Sequence, residues 1–251
     1  MNQQQTPLNV LLLGDTCLDE YCIGTVNRLS PEAPIPILDF KTTKHALGMA
    51  GNVCNNLLKL ECTVEMEAGD AGVKRRFIDS KTNQQLLRLD IPPHSQTKWT
   101  PSAHKNYDLV VISDYDKGFL SYDDIKHVRE LYGCPIFIDT KKTDLAQFEG
   151  CYVKINSIEY SKLTSKCEEL IVTYGGEKVV YKDKEYTVPT VEAFDVCGAG
   201  DTFLAALAVG YTLVRDMDRA IAFAMAASAI TVKHLGVYAP SLEEIYNEIR
   251  R

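Results

Sequence analysis

The sequence predicts an α/β fold built on a mostly parallel sheet, and three observations carry that expectation. Val10–Leu13, Leu109–Ile112 and Ile136–Ile138 are short, fully apolar runs bounded by Gly, Asp or Asn, as strands buried on both faces are. Helical patterns at Gly51–Leu60 and Tyr122–Tyr132 fall between them, and strand–helix–strand alternation favours parallel pairing. Further on, an extended stretch ending at Val191 passes through a glycine turn into the apolar helix Thr202–Ala208.

Taken in order, the first strand ends in Gly14-Asp15-Thr16-Cys17-Leu18-Asp19. Ligands of open α/β sheets collect beyond the carboxyl ends of strands, so Asp15 and Asp19 are candidates to accept hydrogen bonds from sugar hydroxyls. Turn chemistry explains Asp15 equally well; Asp19 is the better ligand candidate. Tyr21–Phe40 carries prolines at 31, 34 and 36 among alternating apolar residues and reads as an edge or excursion strand. Gly48-Met49-Ala50-Gly51-Asn52 opens the next helix, where Asn52 reads first as its N-cap and second as a ligand contact. Lys74–Ile91 reads as a hairpin with a polar turn near Asp79–Asn83. With the segment 21–40 it is expected to form a small sheet projecting from the main body, as a lid spanning about 21–40 and 74–91.

Ser113-Asp114-Tyr115-Asp116-Lys117-Gly118 and Asp139-Thr140-Lys141-Lys142 follow the next two strands. Lys117, Lys141 and Arg76 are candidate phosphate ligands, against the plainer expectation of solvated surface charges. After the apolar Tyr152–Ile155 comes Asn156-Ser157-Ile158-Glu159. Positions three apart share a helical face and would suit a hydrated Mg²⁺; a capping box explains the tetrapeptide better when it is taken alone. Thr173-Tyr174-Gly175-Gly176, between Leu170–Thr173 and Lys178–Tyr181, is either an approach to a nucleotide or a hairpin turn. The last third holds two apolar helices, Asp201–Leu213 and Asp216–His234, then Ser241–Arg250 with Ser241 and Glu244 as a capping-box pair. The alanines between 220 and 229 are expected to serve close packing first and a nucleotide wall second.

The chemistry is expected at Asp195-Val196-Cys197-Gly198-Ala199-Gly200-Asp201. Glycines let backbone N–H groups approach an anion without an intervening Cβ, and a helix start adds unpaired donors and a positive dipole end. A carboxylate beside such an anion is repulsive unless it has work to do, and taking a proton from an incoming hydroxyl is such work. The plain alternative is a tight loop with Asp201 capping the helix; the wider element, Asp195 included, favours phosphate binding.

Bulk properties bound the rest. The 251 residues suffice for one large domain, and 27 basic against 34 acidic side chains argue against wholesale nucleic-acid binding. Eight scattered cysteines without a Cys-x-x-Cys pair read as reduced thiols. The polar residues 1–5 and the short Val10–Leu13 run resemble neither a leader nor a membrane span. A cytoplasmic protein is the expectation. The five histidines have no metal-ligand spacing.

Together the motifs resemble those of the ribokinase-like (PfkB) carbohydrate kinases. Residues 195–202 are similar to that family's C-terminal motif, Gly48–Asn52 to its sugar-binding motif and Asn156–Glu159 to its Asn-x-x-Glu magnesium motif. Arg28–Pro36, Asn83–Asp90 and Ser113–Gly118 resemble the branch that phosphorylates D-glycero-β-D-manno-heptose 7-phosphate, a likeness covering nearly the whole chain. The resemblance implies a single three-layer α/β/α kinase domain over 1–251, with a β-sheet lid that often pairs two subunits. It implies ATP and Mg²⁺, with Asp201 as catalytic base and Gly198, Ala199 and Gly200 as the anion hole. Asn156 and Glu159 would organise the metal, while Thr173, Gly175 and Asp195 would meet the nucleotide. Asp19, Asn52, Gly48, Arg28 and Lys141 would hold the sugar phosphate. Met49, Lys178 and Met225 depart from the family pattern, and segments appear shortened between Gly69 and Lys74 and between Leu163 and Leu170. The adenylyltransferase domain of bifunctional members is not expected here. Two alternatives stand beside a heptose kinase. A fructose-, ribose- or nucleoside-type kinase would be separated by its sugar preference. A non-catalytic sensor would bind ATP without forming ADP.

Overall fold

Alternate residues of one short strand decide the layering. Val10 and Leu12 enter a core shared with Leu57, Leu204 and Ile221, whereas Leu11 and Leu13 enter a second core with Ile125, Val128 and Phe148. A strand apolar on both faces must be covered on both, so helices pack above and below the sheet. The computed structural model describes residues 6–93, 97–101, 105–189, 191–234 and 236–250; the polar N-terminal residues 1–5 and residue 190, just before Val191, lie outside them.

The strands are β1 (Asn9–Leu29), β2 (Pro36–Met49), β3 (Thr63–Asp79), β4 (Gln84–Ile91), β5 (Leu109–Asp114), β6 (Ile136–Thr140), β7 (Tyr152–Asn156), β8 (Leu170–Thr173), β9 (Lys178–Tyr181) and β10 (Lys184–Thr187). They form one sheet in the order β10-β9-β8-β7-β6-β5-β1-β3-β4, with β2 also on β1. From β3 through β1 and β5 to β8 the pairing is parallel; β9, β10, β4 and β2 join antiparallel. Helices α1 (Ala50–Lys59), α4 (Ala199–Val214), α5 (Met217–Thr231) and α6 (Leu242–Ile249) cover one face, and α2 (Tyr122–Leu131) with the 3₁₀ turn Leu145–Phe148 covers the other. A single turn, α3 (Ser157–Tyr160), follows β7. None of the described helices is long and apolar enough to cross a membrane.

The projecting part of the sheet is not an insertion between core strands. β1 pairs with β5 only as far as Gly14, then β2 takes over that edge from Thr16 to Leu29, while β3 accompanies β1 from Asn9 to Gly24. Core strand and projecting strand are therefore the same strand. The segment 21–40 is two strands rather than one edge strand, with the prolines 31 and 34 in the bend between them and Pro36 opening β2. The hairpin at 74–91 is β3–β4, its turn closed by Asn83 at φ 56°. The three C-terminal helices fall where expected to within a few residues, α4 starting two residues early and α5 ending three early, and Ser241 with Glu244 forms the capping box. The alanines of α5 pack closely on α4; Cβ at Gly210 would stand 3.4 Å from the Ala220 backbone.

Candidate active site

Helix α4 begins at Ala199, two residues before the expected Asp201, because Gly198 takes φ 78° and turns the chain early. No side chain caps this end; the Ala199 N–H donates to the Val196 carbonyl at 3.3 Å, and an uncapped helix start of this kind is a general anion-binding feature. A side chain at position 198 would be strained, and its Cβ would lie 2.8 Å from the Asn52 amide. Asp195 holds the turn from behind. Its two oxygens accept the Cys197 and Gly236 N–H groups, each at 2.9 Å. Those bonds make it a brace for the loop.

Asp201 is the third residue of α4 and buried. Its Oδ2 accepts the Asn52 Nδ2–H at 2.8 Å, and the Tyr115 hydroxyl donates to Oδ1 at 3.4 Å. Asn52 was expected first as the N-cap of α1. That helix instead starts at Ala50 behind Met49, so Asn52 lies within its first turn, its amide turned across to α4. Asn56 donates to the Asn52 carbonyl at 2.9 Å and steadies it. Burial pushes the Asp201 carboxyl up to about 6, and Asp139 adds to this; the Asn52 bond, the Lys154 charge and Tyr115 oppose it. A carboxylate titrating near neutrality suits a general base. Met49 itself sits at φ 58° and ψ −128°, a backbone shape that favours glycine.

Beside this network lies a polar pocket. Asp19, on β1, accepts Arg76 Nη1 at 2.5 Å across to β3. Gly48 packs directly against it: a Cβ there would come within 2.2 Å of Asp19 Oδ2 and force that side chain to shift. Lys74 and Lys141 stand over the Tyr115 ring, 5.7 and 5.1 Å from its centroid. Lys141 also pairs with Glu159. Arg28 is not brought here: it is exposed on the outer part of β1, separated from Asp19 by roughly 30 Å of extended chain.

The adjoining cleft, about 380 Å³, is walled by Val179, Val188, Phe203, Met225 and Val232, with Lys154, Asn156, Thr173, Gly175 and Gly200 as its polar and backbone groups. An apolar slot with a few convergent polar groups is the usual form of a nucleotide or cofactor site. Thr173 and Gly175 line the cleft while also forming the β8–β9 hairpin turn. Lys178 lies in the same hairpin, paired with Glu185 at 2.6 Å. Asn156 and Glu159 form a capping box: each side chain accepts the other's N–H, at 2.9 and 2.8 Å. Lys141 occupies the second Glu159 oxygen, and the described residues contain no cluster of three His, Cys, Asp or Glu side chains able to hold a metal. With Asn156 Oδ1 and both Glu159 oxygens already engaged, any Mg²⁺ here would be held through water and phosphate oxygens rather than in a closed protein cage.

Two residues escaped the sequence reading. Lys154 is buried inside β7, 2.7 Å from Asp139, and its ammonium would stand 3.1 Å from a Cβ at Gly200. The signal was a lysine in an otherwise apolar strand. Tyr115 was visible only as part of the Ser113–Gly118 run; nothing local announces that it reaches α4, 86 positions away. Of the cysteines, Cys197 is exposed at the turn and Cys17 is buried beside Gly48; all eight are free thiols.

The model for pfkB family carbohydrate kinases matches residues 94–245. A "Bifunctional protein HldE" of Nitratiruptor sp. is 30% identical over 94% of this chain and 64% of its own length, and one from Haemophilus influenzae is 30% identical over 96% and 63%. The chain thus spans a little less than two thirds of these relatives. Among solved structures, Arabidopsis thaliana ribokinase complexed with ribose and ATP superposes with a TM-score of 0.73 over 98% of this chain and 100% of its own, at 15% identity. Escherichia coli phosphofructokinase-2 in complex with potassium gives 0.73 over 98% and 99%, also at 15%. The fold is ribokinase-like.

Proposed function

The chain belongs to the pfkB family of carbohydrate kinases and is an ATP-dependent kinase, a premise from which we propose that it phosphorylates the anomeric hydroxyl of D-glycero-β-D-manno-heptose 7-phosphate to give the 1,7-bisphosphate. One observation carries the catalytic part: a buried carboxylate, Asp201, held by Asn52 and Tyr115 one residue beyond the uncapped glycine turn. The heptose part is supported by the runs Arg28–Pro36, Asn83–Asp90 and Ser113–Gly118 and by the similarity to HldE proteins along nearly the whole chain.

In this reading ATP lies in the cleft beside Thr173 and Gly175, its phosphates toward Gly198, Ala199 and Gly200. Asp201 takes the proton of the acceptor hydroxyl as the hydroxyl oxygen attacks the γ-phosphorus in line and ADP leaves. Charge developing on the transferred group is met by the N–H groups of the turn and by Lys154. Asn156 and Glu159 would hold Mg²⁺ through water; when bound, the ion neutralises phosphate charge. Asp19 and Asn52 orient sugar hydroxyls, with Gly48 giving the sugar side its close approach. Lys141 and Lys74 are the cations available for the sugar's own phosphate. Arg28 has no part in this pocket within one chain.

A coupled ADP-release assay decides the substrate. Heptose 7-phosphate is expected to outpace fructose, ribose and nucleosides by at least tenfold in kcat/KM; equal or faster turnover of an unphosphorylated sugar would overturn the heptose assignment. The projecting part of the sheet is proposed to act as a lid and to pair two copies, because Leu29, Ile35, Phe40, Leu47, Leu87 and Leu89 are exposed on it. Sizing in solution is then expected to give a dimer, and a strict monomer at assay concentration contradicts the pairing.

A further inference from the structure

We propose that Tyr115 is a positioning residue for the base, its hydroxyl fixing which oxygen of Asp201 receives the acceptor proton and following that proton when it arrives. The proposal rests on the reading of Asp201 as base. The two carboxylate oxygens are not equivalent: Oδ2 is engaged by the Asn52 amide at 2.8 Å, whereas Oδ1 meets only the looser 3.4 Å contact from Tyr115. Oδ1 is therefore the less firmly engaged of the two and the better placed to take the acceptor proton. An amide N–H can only donate, but a phenol donates or accepts. Before transfer the Tyr115 O–H donates to Oδ1; after transfer the new Oδ1–H donates back to the phenol oxygen. No bond to Asn52 need change.

The loop bearing Tyr115 is held rigidly. The Tyr115 N–H donates to Asp15 Oδ2 at 2.8 Å, and the Lys117 N–H to the same oxygen at 3.3 Å. Asp116, at φ 55°, donates its N–H to Asp114 at 3.0 Å. Asp114 is buried and is itself held by Thr140 Oγ1 at 2.6 Å and Lys142 at 3.0 Å. Asp15, buried and pushed up by desolvation, is spent on this loop, which accounts for a carboxylate that the sequence left between turn and ligand. Lys74 and Lys141 over the ring complete the clamp. The groups facing Asp201 are Asn52 from α1, Tyr115 after β5, Asp139 on β6, Lys141 after β6 and Lys154 on β7.

Tyr115→Phe keeps the ring and its cation contacts and removes only the hydroxyl. With heptose 7-phosphate and ATP, its kcat is expected to fall roughly tenfold with KM for ATP unchanged. The acidic limb of kcat/KM is expected to move up by about half a pH unit, because the carboxylate has lost a donor. Wild-type kcat and an unmoved limb overturn the proposal. A lower kcat with an unmoved limb also overturns it, since that is the mark of a substrate contact. Asp201→Asn separates the two levels: if it turns over normally the base itself is wrong, whereas an inactive Asp201→Asn beside a wild-type-like Tyr115→Phe removes Tyr115 alone.

Discussion

Asp201→Asn is expected to lose about 10²–10⁴-fold in kcat while binding ATP as the wild type does. The amide is nearly isosteric and can still accept from Asn52, so neither the turn at Gly198 nor the apolar cleft is disturbed. What disappears is a basic oxygen beside the acceptor. Calorimetric titration with ATP and a single-turnover assay check the two halves separately. The same variant carries a stability signature of opposite sign. Folded Asp201 keeps its proton to about pH 6, an unfolded aspartate only to its ordinary value of 3.8. The folded state thus binds more protons between these values, and stability falls as pH rises through the window. A gap of about two pH units corresponds to about 3 kcal/mol. Asp201→Asn should therefore melt higher than wild type at pH 8, and the difference should close below pH 4. A catalytic group kept at the expense of stability behaves this way.

Lys154→Met is expected to cost about 10²–10³-fold in kcat, the usual loss when one preorganised donor to a developing anion is removed. Lys154 has a second duty, because it neutralises Asp139 at 2.7 Å with its own side chain only 4% exposed. Leaving Asp139 unpaired costs about 3–5 kcal/mol, so the single variant can lose activity by partial unfolding. The double variant Lys154→Met/Asp139→Asn removes both charges. Its melting temperature is expected to return toward wild type while kcat stays low. If the double variant recovers wild-type kcat, Lys154 is only the partner of Asp139 and does not serve the phosphates.

How far the sequence disclosed this site depends on the range of each interaction. The β1, β5 and β6 cores were legible because burial on both faces leaves an unbroken apolar run. β3 was not read as a core strand. Thr63–Gly69 mixes Glu65 and Glu67 with apolar residues, and both acids bond side chains far along the chain: Lys105 and Tyr107 for Glu65, the buried Trp99 for Glu67. The continuity of β1 from core into lid was hidden for a related reason. Gly14 and the polar residues after it look like a strand end, yet the backbone stays extended because β3 pairs alongside. The glycine turn and Asp201 were visible because their chemistry is local. Asn52 was assigned the local job of capping a helix, since its true partner is 149 positions away. The bracing role of Asp195 was equally hidden, since its partner Gly236 is 41 positions away. Arg28 shared a resemblance to its relatives but not, in one chain, a place in the pocket.

The most direct measurement is the structure of the ternary complex with a non-hydrolysable ATP analogue and heptose 7-phosphate. The account predicts Asp201 Oδ1 within about 2.6–3.2 Å of the acceptor oxygen, with the analogue's terminal phosphate against residues 198–200. An acceptor oxygen beyond reach of either Asp201 oxygen, with the carboxylate still turned to Asn52, would contradict it.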